Sequence, residues 1–405
     1  MTYNEALAWL FGTQRFGIKL GLENIERLLG AFALPAPEQR VIHVAGTNGK
    51  GSVCAMMDAM LRAAGYRTGL FTSPHLVTFR ERIQVSGEMI SHDEVAAALM
   101  MLRELIREWD PHPTFFEIAT ALGLQHFKRV ACEIVVLETG MGGRLDATNA
   151  VTPIVSVITP IDYDHQKWLG NTLAEIAGEK AGIIKAGVPV VCAPQAPEAE
   201  AVIRQAAAAK GAPLKIVAGS SETPAVALRG RHQKQNAAVA IAAIAAAGMR
   251  VGNSAIEAGL TNVQWPARFQ RWDDRIIIDG AHNPAGARVL AQTWRETFGA
   301  ERAAVILGVL RDKDAAEMIR VLATIAARFV VCDVRSERSF PAAELATAVQ
   351  SAAPGVEVTT AASFGRALET VQSETRVLIT GSLHFAGEAL AHLRGEPGAF
   401  EECAQ

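Results

Sequence analysis

Short unbroken runs of apolar, often β-branched residues recur along the chain at 41–45, 133–137, 154–158 and 189–192. A strand with one wet face alternates apolar and polar residues. An unbroken apolar run fits a strand covered on both faces, as in a parallel sheet. The segments between the runs are long enough for crossover helices. Beyond residue 52 the spacing becomes helical: Val53, Met56, Met57, Met60, Leu61 and Ala64 share a face, and Gly65 supplies a stop. The Ala-rich run 237–248 predicts a buried helix, well short of the ~20 residues that span a bilayer. Apolar runs restart at 275–278, 303–307, 329–334 and 376–380. Before them, 264–274 is polar and carries Trp265 and Pro266, as a linker would. The pattern predicts an α/β protein of two domains. One covers 1–270 with a mostly parallel sheet, and a smaller Rossmann-like one covers 271–405. No repeat of 20–50 residues and no low-complexity segment is present.

Composition narrows the function. Of 405 residues, 50% are hydrophobic and 20% charged, enough for two buried cores. The net charge is −3 and the Lys and Arg residues are scattered, so no nucleic-acid partner is expected. The N-terminus, Met1-Thr2-Tyr3-Asn4-Glu5, lacks a basic stretch followed by an apolar core. A cytoplasmic protein without a membrane partner is therefore expected, and a monomer. Cys54, Cys132, Cys192, Cys332 and Cys403 form no CxxC pair and read as reduced, mostly buried residues.

The strongest local signal is Ala45-Gly46-Thr47-Asn48-Gly49-Lys50-Gly51-Ser52, placed between a predicted strand and a predicted helix. Backbone N–H groups at such a turn point towards an anion, and the helix dipole adds partial positive charge. Lys50 would reach the β- and γ-phosphates of a nucleotide. The string departs from GxxxxGK[ST], because Gly51 intervenes before Ser52. A second cluster, Gly140-Met141-Gly142-Gly143, lacks the third glycine of GxGxxG and is weak evidence for a dinucleotide.

Further stretches accompany the loop. They are Thr72-Ser73-Pro74-His75-Leu76, Thr114-Phe115-Phe116-Glu117, the run from Glu138 through Leu145-Asp146-Ala147 to Asn149, Asp164-His165, Glu179-Lys180-Ala181-Gly182, His232-Gln233 with Asn236, Trp265-Pro266-Ala267-Arg268, Asp279-Gly280-Ala281-His282-Asn283-Pro284, and Gly381-Ser382. With GTNGKGS they resemble the folylpolyglutamate synthase branch of the Mur ligase superfamily, in the family's order from about residue 15 to about residue 385. The resemblance implies a P-loop ATPase-like N-terminal domain and a C-terminal domain that closes over it. It implies ATP-dependent ligation of L-glutamate to a folate or to dihydropteroate through an acyl phosphate, with Mg²⁺.

The resemblance also implies roles. Thr47, Asn48, Gly49, Lys50, Gly51 and Ser52 would hold the phosphates. Glu138, at the end of an apolar strand, and Ser73 would hold Mg²⁺; alone, Glu138 would read as a solvated strand-end carboxylate. His165 would bind a second Mg²⁺, and Lys180 would be carbamylated. Asn236, Arg268 and Asp279 would contact ATP, although Asp279 could instead cap a helix. His282 and Ser382 are candidates for the glutamate pocket. Thr114, Phe115, Phe116, Glu117, Leu145, Asp146 and Ala147 suit a flat pteridine, an aromatic pair beside polar groups. Equally, the two phenylalanines could be core residues that open a helix.

Two positions depart from the family. Lys19 stands where bifunctional members typically carry Asp, which bears on dihydropteroate use. Ala267 stands where Gly is usual. A Mur ligase acting on a uridine-nucleotide precursor is disfavoured, because the phosphate loop begins at Gly46 and leaves no room for the nucleotide domain. A non-catalytic P-loop protein would need neither His165 nor Lys180.

Overall fold

The computed structural model describes residues 1–17, 21–219 and 223–402. The chain packs as two compact units, one of 1–73, 80–227 and 234–263, the other of 74–79, 228–233 and 264–405. The main division thus falls at 263/264, not at 270/271, and two short segments of the N-terminal range belong to the second unit. The polar stretch 264–274 is not a free linker, because part of it forms an edge strand of the second sheet.

The first unit is built on β1 (Arg40–Ala45), β2 (Thr68–Phe71), β3 (Ile83–Val85), β4 (Glu88–Met89), β5 (Ile134–Glu138), β6 (Val155–Ile158), β7 (Val190–Cys192) and β8 (Leu214–Ile216). Their order is β4-β3-β2-β5-β1-β6-β7-β8, with every pairing parallel except β2–β3 and β3–β4. The four predicted runs are β1, β5, β6 and β7, and all are buried but for Arg40. β1 lies between β5 and β6, so its C-terminal end is the point where the winding reverses. Open α/β sheets bind ligands there. The helix Lys50–Ala63 starts at that end, buries Val53, Met56, Met57, Met60 and Leu61, and stops before Gly65 at φ 89°.

The second unit is built on β9 (Gln270–Arg271), β10 (Ile276–Ile278), β11 (Ala303–Leu307), β12 (Ala326–Cys332), β13 (Glu357–Ala361) and β14 (Val377–Thr380), in the order β13-β12-β11-β14-β10-β9. All are parallel except β9. Successive strand residues enter opposite cores. Ile277, Val305 and Leu378 pack with Trp294, whereas Ile276, Ile306 and Ile379 pack with Phe385. Each such aliphatic side chain contributes about 1.5–3 kcal/mol relative to exposure. Covering both faces requires helices on both sides, the Rossmann-like arrangement expected.

The four described cysteines, Cys54, Cys132, Cys192 and Cys332, are buried and form no disulfide. Among the described residues no helix is long and apolar enough to cross a membrane. Lys19 and Cys403 lie outside the described residues.

Candidate active site

The loop after β1 turns on Gly46 (φ 150°) and Gly49 (φ 88°). Gly49 is needed twice over: its φ is left-handed, and a Cβ there would lie 2.8 Å from Asn236 Oδ1. The amides of Thr47 and Asn48 donate to the Pro160 carbonyl at 3.0 and 3.1 Å. The Thr47 hydroxyl donates to the Asp162 carbonyl at 3.0 Å and accepts from its N–H at 3.1 Å. Thr47 therefore braces the loop against the segment after β6. The helix from Lys50 begins at this turn, so its positive dipole end and first-turn N–H groups lie where an anion would be favoured. Lys50 Nζ donates to the carbonyls of Gly46 (3.2 Å) and Thr47 (3.5 Å). Buried Asn236 lies against this turn, next to the nucleotide loop it was expected to serve.

Parallel register aligns the ends of β1, β2 and β5, pairing Val44 with Glu138 and Phe71 with Leu137. Glu138, only 4% exposed, accepts the Ser73 N–H at 3.0 Å. The Ser73 hydroxyl is buried and has no protein partner. An unsatisfied hydroxyl beside a carboxylate is a hard oxygen pair that fits Mg²⁺, which takes one or two protein ligands and completes its shell with phosphate oxygens and water. Among the described residues no group of three His, Cys, Asp or Glu side chains is positioned to hold a metal alone.

Lys180 is buried rather than an exposed helix residue, and its Nζ donates to the same Gly46 carbonyl at 2.8 Å. Burial, with nearby Lys50 adding to it and Asp164 and Asp146 opposing, pushes its pKa down to about 7. The site therefore favours the neutral amine form of Lys180 relative to an exposed lysine. His165 follows in the left-handed region at φ 52°, with Nε2 3.9 Å from Asp164 Oδ1 and the side chain 40% exposed. Asp164 is the residue of this pair that couples to Lys180.

The pteridine candidates divide. Thr114 caps the helix Phe115–Arg129: its hydroxyl accepts the Glu117 N–H at 3.3 Å, and Glu117 Oε2 accepts the Thr114 N–H at 2.7 Å. These two residues form a capping box, which fixes where the helix and its two phenylalanines begin. Phe115 is core, 4% exposed and stacked on Phe11 at 5.8 Å. Phe116 is half-buried and covers Gly140, where a Cβ would lie 2.6 Å from its ring. It therefore borders the glycine cluster that leads to Leu145, Asp146 and Ala147. Asp146 is 6% exposed and accepts N–H bonds from Met141 (2.8 Å) and Thr148 (3.0 Å).

In the second unit, Asp279 directly follows β10 and accepts the N–H groups of Phe269 (2.8 Å) and Ala281 (2.9 Å). Burial raises its pKa, with Arg268 opposing. The next helix, Pro284–Phe298, is capped by Asn283 instead, through the Gly286 N–H at 2.8 Å. His282 Nδ1 donates to the Gly280 carbonyl at 2.9 Å, and Arg268 Nη1 donates to that of Ala267 at 3.2 Å. Ala267 has φ 56°, a left-handed value that glycine adopts without strain, which explains the family's usual residue there. Ser382 caps the helix Leu383–Leu393 by accepting the Phe385 N–H at 3.0 Å, which uses one of its two lone pairs and leaves its proton for a ligand.

Comparison with known proteins agrees with this geometry. The Mur ligase middle domain matches residues 44–210, and the Mur ligase glutamate ligase domain matches 267–383. The dihydrofolate synthase/folylpolyglutamate synthase of Bacillus subtilis (strain 168) is 36% identical over 432 residues, spanning 97% of this chain and 99% of that protein. Escherichia coli FolC, solved in complex with DHPP and ADP, superposes with a TM-score of 0.88 at 30% identity, over 96% of this chain and 98% of that one. The Yersinia pestis bifunctional enzyme, complexed with AMPPNP and a Mn ion, gives a TM-score of 0.86 at 29% identity, over 97% and 98%. The chain belongs to the dihydrofolate synthase/folylpolyglutamate synthase family of Mur ligases, and it is an ATP-dependent ligase that joins glutamate to folates.

Proposed function

We propose that the enzyme adds L-glutamate both to folates and to 7,8-dihydropteroate, in each case through an acyl phosphate. The observation that carries the reading is the convergence, at the C-terminal ends of adjacent parallel strands, of the phosphate loop, two lysines on one carbonyl and the Ser73–Glu138 pair. A carboxylate oxygen of the pteroyl substrate attacks the γ-phosphorus and ADP leaves. The glutamate amine then attacks the acyl carbon and expels phosphate, losing its proton to form the amide. Residues Thr47 to Ser52 hold the phosphates and Lys50 neutralises charge on the transferred group. Ser73 and Glu138 hold Mg²⁺, which supplies electrostatic stabilisation of the phosphates. The relatives solved with ADP and with AMPPNP and a Mn ion support nucleotide and divalent-ion use. Asn236, Arg268 and Asp279 are assigned to ATP, and His282 and Ser382 to glutamate. Phe116 and Asp146 are assigned to the pterin. We read the enzyme as a cytoplasmic monomer.

Lys180 is assigned as a carbamate. A neutral amine is the form that adds CO₂, releasing a proton, and its pKa near 7 supplies that form. The carboxylate so formed, with His165, would hold a second divalent ion. Lys180→Ala is expected to lose on the order of a hundredfold in turnover and to regain part of it with short carboxylic acids. An unimpaired alanine variant would contradict the assignment.

Bifunctionality is tested by ADP release with tetrahydrofolate and dihydropteroate side by side, each with L-glutamate. Stimulation by both is expected. Stimulation by tetrahydrofolate alone would identify a monofunctional enzyme, the outcome that Lys19 favours.

A further inference from the structure

His43 lies on β1, ahead of the phosphate loop, and is fully buried. Its Nε2 is 2.8 Å from Thr148 Oγ1. That hydroxyl also meets Asp146 Oδ1 at 2.5 Å. Asp146 Oδ1 accepts the Thr148 N–H at 3.0 Å, and Oδ2 accepts the Met141 N–H at 2.8 Å. A buried relay thus runs from the central strand to the loop that carries Leu145, Asp146 and Ala147.

Counting protons gives the relay a direction. Burial raises the Asp146 pKa, whereas the Thr148 hydroxyl and the N–H groups of Met141, Thr148 and Gly140 oppose it by favouring the carboxylate form. A carboxylate only accepts, so the single Thr148 hydroxyl proton goes to Asp146, and the hydroxyl must accept from His43 Nε2–H. Nδ1 is then the bare nitrogen, and it is a buried atom without a hydrogen-bond partner. The reverse order would place a proton on Asp146 and leave a buried Nδ1–H with no acceptor. An orphaned donor carries its full desolvation penalty and is rarer than an under-used acceptor. Burial, with Lys185 adding to it, pushes the His43 pKa down to about 3, so the ring stays neutral. Asp146 Oδ1 takes two donors and Oδ2 takes the Met141 N–H, with the Gly140 N–H also acting on the carboxylate, so its orientation is set by the relay and the glycine cluster together.

We propose that His43 is a positioning residue for pteroyl recognition, acting through Thr148 to fix the orientation of Asp146 towards a reduced pterin. The proposal rests on the assignment of Asp146 to the pterin. A His in an apolar strand ordinarily serves packing, and the test must separate the two roles.

The test uses steady-state kinetics of the full-length enzyme with tetrahydrofolate and, separately, ATP as the varied substrate. The variants are His43→Leu, His43→Gln, Asp146→Asn and His43→Leu/Asp146→Asn. The Gln amide reaches the position of imidazole Nε2 and can donate from it. His43→Leu is expected to raise KM for tetrahydrofolate roughly tenfold or more, with KM for ATP within about twofold. His43→Gln should stay within about threefold of the parent, and the double variant should be no weaker than Asp146→Asn alone. Equal impairment by Leu and Gln, or multiplying effects in the double variant, would overturn the relay. Should His43→Leu fail to fold, Thr148→Val breaks the next link and must reproduce the KM effect. If Asp146→Asn raises KM for tetrahydrofolate and His43→Leu does not, only the relay falls. If Asp146→Asn itself leaves that KM unchanged, the pterin assignment is wrong and the relay falls with it.

Discussion

Lys50→Ala is expected to lower kcat/KM on the order of a thousandfold, read as glutamate-dependent ADP release. Phosphoryl transfer leaves a protein little to do except hold its partners in line and offset negative charge. Lys50 is the loop's only side-chain cation, and its ammonium already lies over the turn, on the carbonyls of Gly46 and Thr47. A second effect follows. Lys50 is one of the groups that lower the Lys180 pKa. Its removal should raise that pKa and shrink the share of neutral amine at a given pH. Lys50→Arg should not rescue, because a planar fork replaces a compact ammonium in a turn built for the latter. A melting temperature close to the parent's would show that the loss is catalytic. A loss below tenfold would contradict the loop's role.

Glu138→Gln should cost on the order of a hundredfold or more, with the Mg²⁺ dependence moved to higher concentration. The substitution is chosen for what it keeps. The amide oxygen can still accept the Ser73 N–H, which Glu138 takes at 3.0 Å, so the ends of β2 and β5 stay joined. What is lost is a nearly buried negative charge beside a hydroxyl that has no protein partner. If that pair holds an ion, excess Mg²⁺ should restore part of the rate. If Glu138 only ties two strand ends together, neither the rate nor the Mg²⁺ dependence should move.

Much of this fold was legible because parallel strands buried on both faces leave unbroken apolar runs. All eight predicted runs are strands. The others gave no such signal. β2 is interrupted by Gly69, which lets the Phe127 ring approach, β9 has only two residues, and β13 is half-exposed and mixed in sequence. The phosphate loop was legible because it is local. The Ser73–Glu138 pair spans 65 positions and the His43–Thr148 bond spans 105, so sheet register alone brings them together. Family resemblance supplied the first, and nothing in the sequence marked the second. Thr114-x-x-Glu117 before an apolar run also carries the signature of a capping box, which the structure shows, and Ser382 likewise caps a helix. The division at 270/271 was misplaced because an edge strand as short as β9 looks like linker.

Acyl phosphate formation is tested most directly by isotope transfer. The folate substrate is labelled with heavy oxygen in its reacting carboxylate and turned over with ATP and L-glutamate. One carboxylate oxygen must bond to phosphorus and leave with it when the amine attacks. Inorganic phosphate carrying one labelled oxygen for each ADP released is therefore predicted, and only when glutamate and folate are both present. Unlabelled phosphate, or ADP release indifferent to glutamate, would contradict the account.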